Sequence, residues 1–116
     1  MIRPIIEEYE FGRIKISGCE YTKDVIIHRG KVYANWWRKE GHNLVPDDLE
    51  IILNDPPAVL VIGTGYSGLM RVPEKTIKFL EGKGIKTIIE RTAKACKTFN
   101  ELSEKQIVSA ALHLTC

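Results

Sequence analysis

The chain has 116 residues, 44% hydrophobic and 28% charged. This fits one globular domain spanning 1–116 and excludes a disordered chain, which needs lower hydrophobicity and a larger net charge. Its 17 basic and 15 acidic residues leave a net charge of +2 and are interspersed, as in Glu74-Lys75 and Glu81-Gly82-Lys83, so the basic stripe of a nucleic-acid binder is missing. The longest apolar run, Pro56 to Gly63, is far short of the ~20 residues that span a bilayer, and neither nucleic acid nor a membrane is expected as a partner.

The opening Met1-Ile2-Arg3-Pro4, followed by Glu7-Glu8, fits neither a signal peptide nor an Arg/Ser-rich transit peptide, and the expected location is the cytoplasm. Arg13 to Ser17 alternates and predicts a short strand. Asp24 to Arg29 and Val32 to Trp37 flank Gly30-Lys31, where glycine at the first central position suits a type II′ hairpin turn. In that register Val25, Ile27, Val32, Ala34 and Trp36 share one face, the better core face, while Ile26, His28, Tyr33, Asn35 and Trp37 share the other. Pro46-Asp47-Asp48 predicts a helix start, with Leu49, Ile52 and Leu53 at helical spacing and Asn54-Asp55-Pro56-Pro57 as its end.

Ala58 to Ile62 is continuously apolar and β-branched, as in a parallel strand buried on both faces. A ten-residue loop, Gly63 to Val72, precedes a helix that opens at Pro73-Glu74, turns Thr76, Ile77 and Leu80 inward and ends at Gly82 or Gly84. Ile85 to Glu90 is the next predicted strand. Thr92 is placed as the N-cap of a helix to about Leu102 with the stripe Ala95, Cys96, Phe99, and Ile107 to Leu114 closes the chain as a strand. The alternation from Ala58 onward predicts a parallel sheet, to which the N-terminal hairpin adds antiparallel strands or a second small layer.

In such a sheet ligands bind at the C-terminal ends of the strands. That edge collects Gly63-Thr64-Gly65-Tyr66-Ser67-Gly68 and, after the next strand, Arg91-Thr92, whose helix start would offer free N–H groups to an anion. The alternative is that the glycines only turn the chain and Thr92 only caps. Gly63-x-Gly65-x-x-Gly68 with Glu90 downstream matches a dinucleotide fingerprint on paper, but the next helix starts at Pro73, well after the motif, and Leu69-Met70 stands where a phosphate loop needs Lys-Ser/Thr. No cofactor is therefore expected. Arg38 reads either as an anion ligand or as the partner of a carboxylate such as Glu40 or Glu90, and His42 as an acid/base group or a plain loop histidine. His28 and His113 show no metal spacing and read as structural. Cys19, Cys96 and Cys116 form no CxxC, so no metal site is expected, and they read as reduced thiols, with Cys96 an inert core thiol. Tyr66, in the glycine loop, is the aromatic best placed for contact.

The run Asp24 to Cys116 resembles the Mth nine-three-eight-like family, formerly a domain of unknown function. The resemblance rests on Trp37-Arg38, Gly41-His42, Pro46-Asp47-Asp48-Leu49, Leu60-Val61-Ile62-Gly63-Thr64-Gly65, Val72-Pro73, Gly84-Ile85, Thr92, Ala95, Asn100 and His113-x-Thr115-Cys116. It implies a three-layer α/β fold with a central, mostly parallel sheet and a small antiparallel part. It implies no established reaction; the family's mitochondrial members act in assembly with partner proteins. Arg38, His42, Gly63, Thr64, Gly65, Tyr66, Thr92 and Asn100 are the candidate ligand-binding residues. No complete catalytic set is present, so the leading expectation is a non-enzymatic domain that binds a protein or a small anionic ligand. The rival is a small enzyme or anion-binding protein with its pocket at the same edge.

Overall fold

The computed structural model describes residues 3–116. A five-stranded mixed sheet forms the middle layer, in the order β5-β4-β8-β6-β7. Its strands are β4 (Val25–His28), β5 (Lys31–Tyr33), β6 (Val59–Gly63), β7 (Lys86–Glu90) and β8 (Val108–Leu112). The last three are mutually parallel, and the β4–β5 hairpin joins β8 antiparallel. A separate antiparallel sheet holds β1 (Ile6–Glu10), β2 (Arg13–Ile16) and β3 (Cys19–Tyr21). The predicted strand at Arg13–Ser17 is therefore the middle of a three-stranded layer, and the hairpin and this layer together make up the small antiparallel part.

Every residue of β4, β6 and β8 is buried, because each strand is covered on both faces. One face packs helix α3 (Thr92–Ser103) and the small sheet over Val25, Ile27, Val59, Val61, Ala110 and Leu112. The other packs a 3-10 turn (Pro46–Leu49), helix α1 (Glu50–Leu53) and helix α2 (Glu74–Gly82) over Ile26, Leu60, Ile62 and Ala111. The Ala95, Cys96, Phe99 stripe lies inward as its spacing requires, with Thr92 added at its head. Burial pushes the Cys96 thiol up to about 12, so it is inert as a nucleophile.

Three predictions shift. The hairpin turn is Arg29-Gly30, with φ 51° and 80°, and His28 opposes Lys31. Two successive positive φ values define a type I′ turn, whose twist matches the strands it joins. The strand after it stops at Tyr33, because Asn35 adopts φ 57°, and this reversal sends Trp36 to the Ile26 side of the sheet. Pro46 opens a 3-10 turn before the α-helix, and Asp48 accepts a hydrogen bond from the Val45 N–H at 3.0 Å.

Asn100 on α3 secures the outer layer. Its side chain accepts from the Ile6 N–H at 2.9 Å and donates to the Ile6 carbonyl at 2.8 Å, completing a backbone that otherwise pairs on one side only. Replacing Asn100 with Ala leaves both Ile6 groups without partners, and a half-buried loss of this kind costs about 1–3 kcal/mol. Chemical denaturation should show that loss, and amide exchange at Ile6 should accelerate more than at Val61.

Candidate functional site

The three parallel strands end at Gly63, Glu90 and Leu112, and the segments leaving them do meet on one rim. What lies across that rim is the chain's own C-terminal segment, His113–Cys116. The His113 N–H donates to the Gly63 carbonyl at 3.0 Å, the Gly12 N–H to the Leu114 carbonyl at 2.9 Å, the Tyr66 N–H to the Thr115 carbonyl at 2.7 Å and the Leu69 N–H to the Cys116 carbonyl at 2.9 Å. The Tyr9 hydroxyl adds a bond to the Leu114 carbonyl at 2.9 Å.

Thr92 is the first residue of α3, and Arg91 holds the cap position without a side-chain cap. The Thr92 hydroxyl instead ties the rim together, accepting from the Gly65 N–H at 2.8 Å and donating to the His113 carbonyl at 2.6 Å. Its own N–H goes to the Gly65 carbonyl at 3.1 Å. Thr64 bonds the Glu90 carbonyl through both its N–H and its hydroxyl. The two glycines are there for close approach. A Cβ on Gly63 would stand 2.8 Å from the Thr92 hydroxyl, and one on Gly65, at φ 109°, would stand 2.5 Å from the backbone of Cys116.

Arg38 meets Asp24, not Glu40 or Glu90: its Nη1 donates to Asp24 Oδ2 at 2.7 Å. Its Nη2 donates to the Gly41 carbonyl at 2.8 Å, and the guanidinium stacks over the Trp36 ring, 4.7 Å from its centroid. Asp24 also accepts from His113 Nδ1 at 2.8 Å and from the Leu114 N–H at 2.7 Å. Burial is the largest single influence on Asp24 and pulls its pKa up; the bonds from His113, Leu114 and Arg38 together overcome it and hold the carboxyl below its ordinary value. The exposed His42 ring packs edge-to-face on His113, with centroids 5.8 Å apart.

Arg38, His42, Gly63, Thr64, Gly65 and Thr92 are thus gathered around His113 and its carbonyl. Asn100 is not among them; it lies in a separate cleft with Ile6, Glu7, Tyr9 and Cys96. Asp24 and His113 are the two residues that sequence reasoning missed as the centre of the site. The only signal was His113 in the closing His113-x-Thr115-Cys116 pattern. Outside this knot the rim presents apolar side chains to solvent. Phe11 and Tyr66, each 55% exposed, stack edge-to-face at 5.8 Å, and Leu69 is 53% exposed on the same loop. Trp37, 75% exposed, shares a shallow cleft with Asp24 and Thr115. Among the described residues, no group of three or more His, Cys, Asp or Glu side chains could hold a metal ion, and no helix is long and apolar enough to cross a membrane.

Fold and rim together define a class: a three-layer α/β domain whose parallel-strand edge is closed by its own C-terminal segment. The chain belongs to the family described as proteins of unknown function DUF498/DUF598, whose model matches residues 6–113. It is 44% identical over 109 residues to NADH dehydrogenase [ubiquinone] 1 alpha subcomplex assembly factor 3 of Xenopus tropicalis; the match takes in 92% of this chain, which spans 59% of that relative's length. Among solved structures it is similar to a conserved hypothetical protein of Pyrococcus horikoshii OT3, with a TM-score of 0.81, 31% identity and coverage of 96% and 98% of the two chains. It shares its fold with a Bordetella pertussis protein described as a Mth938-like domain, with a TM-score of 0.73, 19% identity and coverage of 95% and 85%. The expected family and fold are therefore confirmed.

The Asp24 network gives a pH-dependent expectation. Asp24→Asn leaves the buried Arg38 guanidinium without its counter-charge, a loss of about 3–5 kcal/mol at neutral pH. A carboxyl whose folded pKa is depressed stabilises the fold above its unfolded value, ~3.9, and loses that contribution as pH falls through its folded value. Urea denaturation across a pH series should show the gap between wild type and Asp24→Asn narrowing below about pH 4.

Proposed function

We propose that this domain is a non-enzymatic, protein-binding module of assembly type, and that it meets its partner through the rim around the C-terminal segment. The observation that carries this reading is the exposed aromatic set Phe11, Tyr66 and Trp37, with Leu69, flanking Thr115. Exposed aromatic side chains on a rigid support are the usual anchors of protein interfaces. The support here is rigid because the knot of half-buried Asp24 with buried Arg38, His113 and Thr92 lies directly beneath. In this reading Tyr66 is a contact residue, His42 borders the contact surface, and Arg38, Gly63, Thr64, Gly65 and Thr92 shape it from below. Asn100 acts at a distance, through β1.

The name of the Xenopus relative, an assembly factor, favours the same reading. An anion or enzyme site would draw on Arg38 and the Thr92 N–H, yet these already serve Asp24 and Gly65. We infer a reducing setting such as the cytoplasm, a reading supported by three free cysteines of which Cys19 and Cys116 are exposed.

The test is site-directed photocrosslinking in the cell of origin. A photoreactive phenylalanine analogue at position 66 or 37 should capture one discrete protein, and the same analogue at position 78 on α2 should not. Phe11→Ala with Tyr66→Ala should weaken binding of that protein at least tenfold. Absence of any product from positions 66 and 37, or a turnover that requires Arg38 or His42, would contradict the proposal.

A further inference from the structure

Among the described residues the middle sheet has two free edges, and they differ. The β5 edge is three residues long and is ended by the positive φ of Asn35. The β7 edge runs five residues, Lys86–Glu90, in unbroken register with β6, and among the described residues no strand pairs with its outer side. It carries no proline and no bulge, two of the devices by which proteins blunt an edge. It is also the least buried of the three parallel strands, with Ile89 37% exposed, whereas β6 and β8 are buried throughout.

The backbone of β7 alternates in a known phase. The Lys86 N–H donates to the Ala58 carbonyl, and the Glu90 carbonyl accepts from the Thr64 N–H. Lys86, Ile88 and Glu90 therefore turn their backbone groups toward β6, and Thr87 and Ile89 turn theirs outward. The side chains alternate likewise: Ile88 packs toward α3, while the exposed Ile89 points to the opposite face.

We propose that this edge is a homodimer interface, in which two copies of the chain pair antiparallel through Lys86–Glu90 about a two-fold axis at Ile88. In that register Thr87 and Ile89 of each copy exchange N–H and carbonyl bonds with Ile89 and Thr87 of the other. Ile88 faces Ile88. At both ends Lys86 of one copy stands opposite Glu90 of the other, so the charges that would guard the edge against strangers are complementary to the edge itself. The Glu90 carboxylate is held in place on this edge by the Thr98 hydroxyl at 2.6 Å and the Lys94 amine at 3.6 Å. The neighbouring symmetric registers are worse: centring on Thr87 sets Lys86 against Ile88, and centring on Ile89 sets Glu90 against Ile88. The occupant that fits this edge by charge and by backbone phase is a second copy, and the product is one continuous sheet of two domains. This interface touches the rim only at Glu90 and involves none of the exposed aromatic side chains Phe11, Tyr66 and Trp37.

Sedimentation equilibrium of the full chain, from micromolar to millimolar, tests the proposal. The mass should rise from 13.2 kDa toward twice that value. Lys86→Glu, at an exposed side chain, opposes like charges and should weaken the dimer at least tenfold with an unchanged circular-dichroism spectrum. Ile89→Pro removes an outward N–H and should leave a monomer. Residues facing across a non-hydrogen-bonded antiparallel pair have Cα atoms about 4.5 Å apart, within disulfide reach. Ile88→Cys in a Cys19→Ser, Cys96→Ser, Cys116→Ser background should therefore cross-link on mild oxidation. A monomer at every concentration, a dimer that survives Lys86→Glu unchanged, or an Ile88→Cys variant that folds but does not cross-link would overturn the proposal.

Discussion

One carboxylate holds three parts of the chain at a single point. Asp24 precedes β4, and its two oxygens reach the Arg38 guanidinium, the His113 ring and the Leu114 N–H. Removing a carboxylate from water is unfavourable unless its lone pairs find donors. Asp24 finds three, the Arg38 guanidinium among them, and they come from two segments, the loop after the hairpin and the end of β8, which the β4–β8 pairing already brings alongside. Arg38 brings the loop after the hairpin, held further by Trp36. His113 and Leu114 bring the end of β8. The hydrogen bonds of the C-terminal segment to Gly12, Tyr66 and Leu69 then extend the same junction to the small sheet and the glycine loop.

That junction decides what the strand edge can do. In open α/β sheets the edge beyond the strand ends is where ligands collect, and here the donors that would serve a ligand are turned onto the chain itself. The glycines at positions 63 and 65 have the same cause, since a side chain at either would collide with Thr92, Leu112 or the last residue. The surface left outside carries exposed aromatic side chains, chemistry suited to a protein partner. The engagement of these donors within the chain supports the proposed protein-binding reading over a ligand site at the strand ends.

Much of the architecture was legible because its signals are local. The apolar run at 58–62 and the 95-96-99 spacing each carry their environment in their own residues. β1 and β3 gave no such signal. Ile6–Glu10 has one buried residue in five, and Asn100, which completes its pairing, is 94 positions away. The hairpin turn slid by one residue because Arg29, with no intrinsic preference for a positive φ, takes one under the pull of the flanking strands. For the site, the glycine loop and Thr92 were correctly brought to one rim by topology alone, but the partner of Arg38 was not legible. Asp24 lies nearer in sequence than Glu90, yet it stands only as the first residue of a predicted strand, and its link to His113 spans 89 positions.

The central claim is that the C-terminal segment is a fixed part of the domain, locked by Asp24 and Thr92. Residue-resolved amide hydrogen exchange measures this directly. The Leu114 and Tyr66 amides, bonded to Asp24 and to the Thr115 carbonyl, should exchange within about tenfold of Val61 in the core strand, as expected for groups released only by global opening. Exchange of those two amides at the rate of a free chain end, with Val61 still protected, would show that the segment is loose and that the strand edge is open after all.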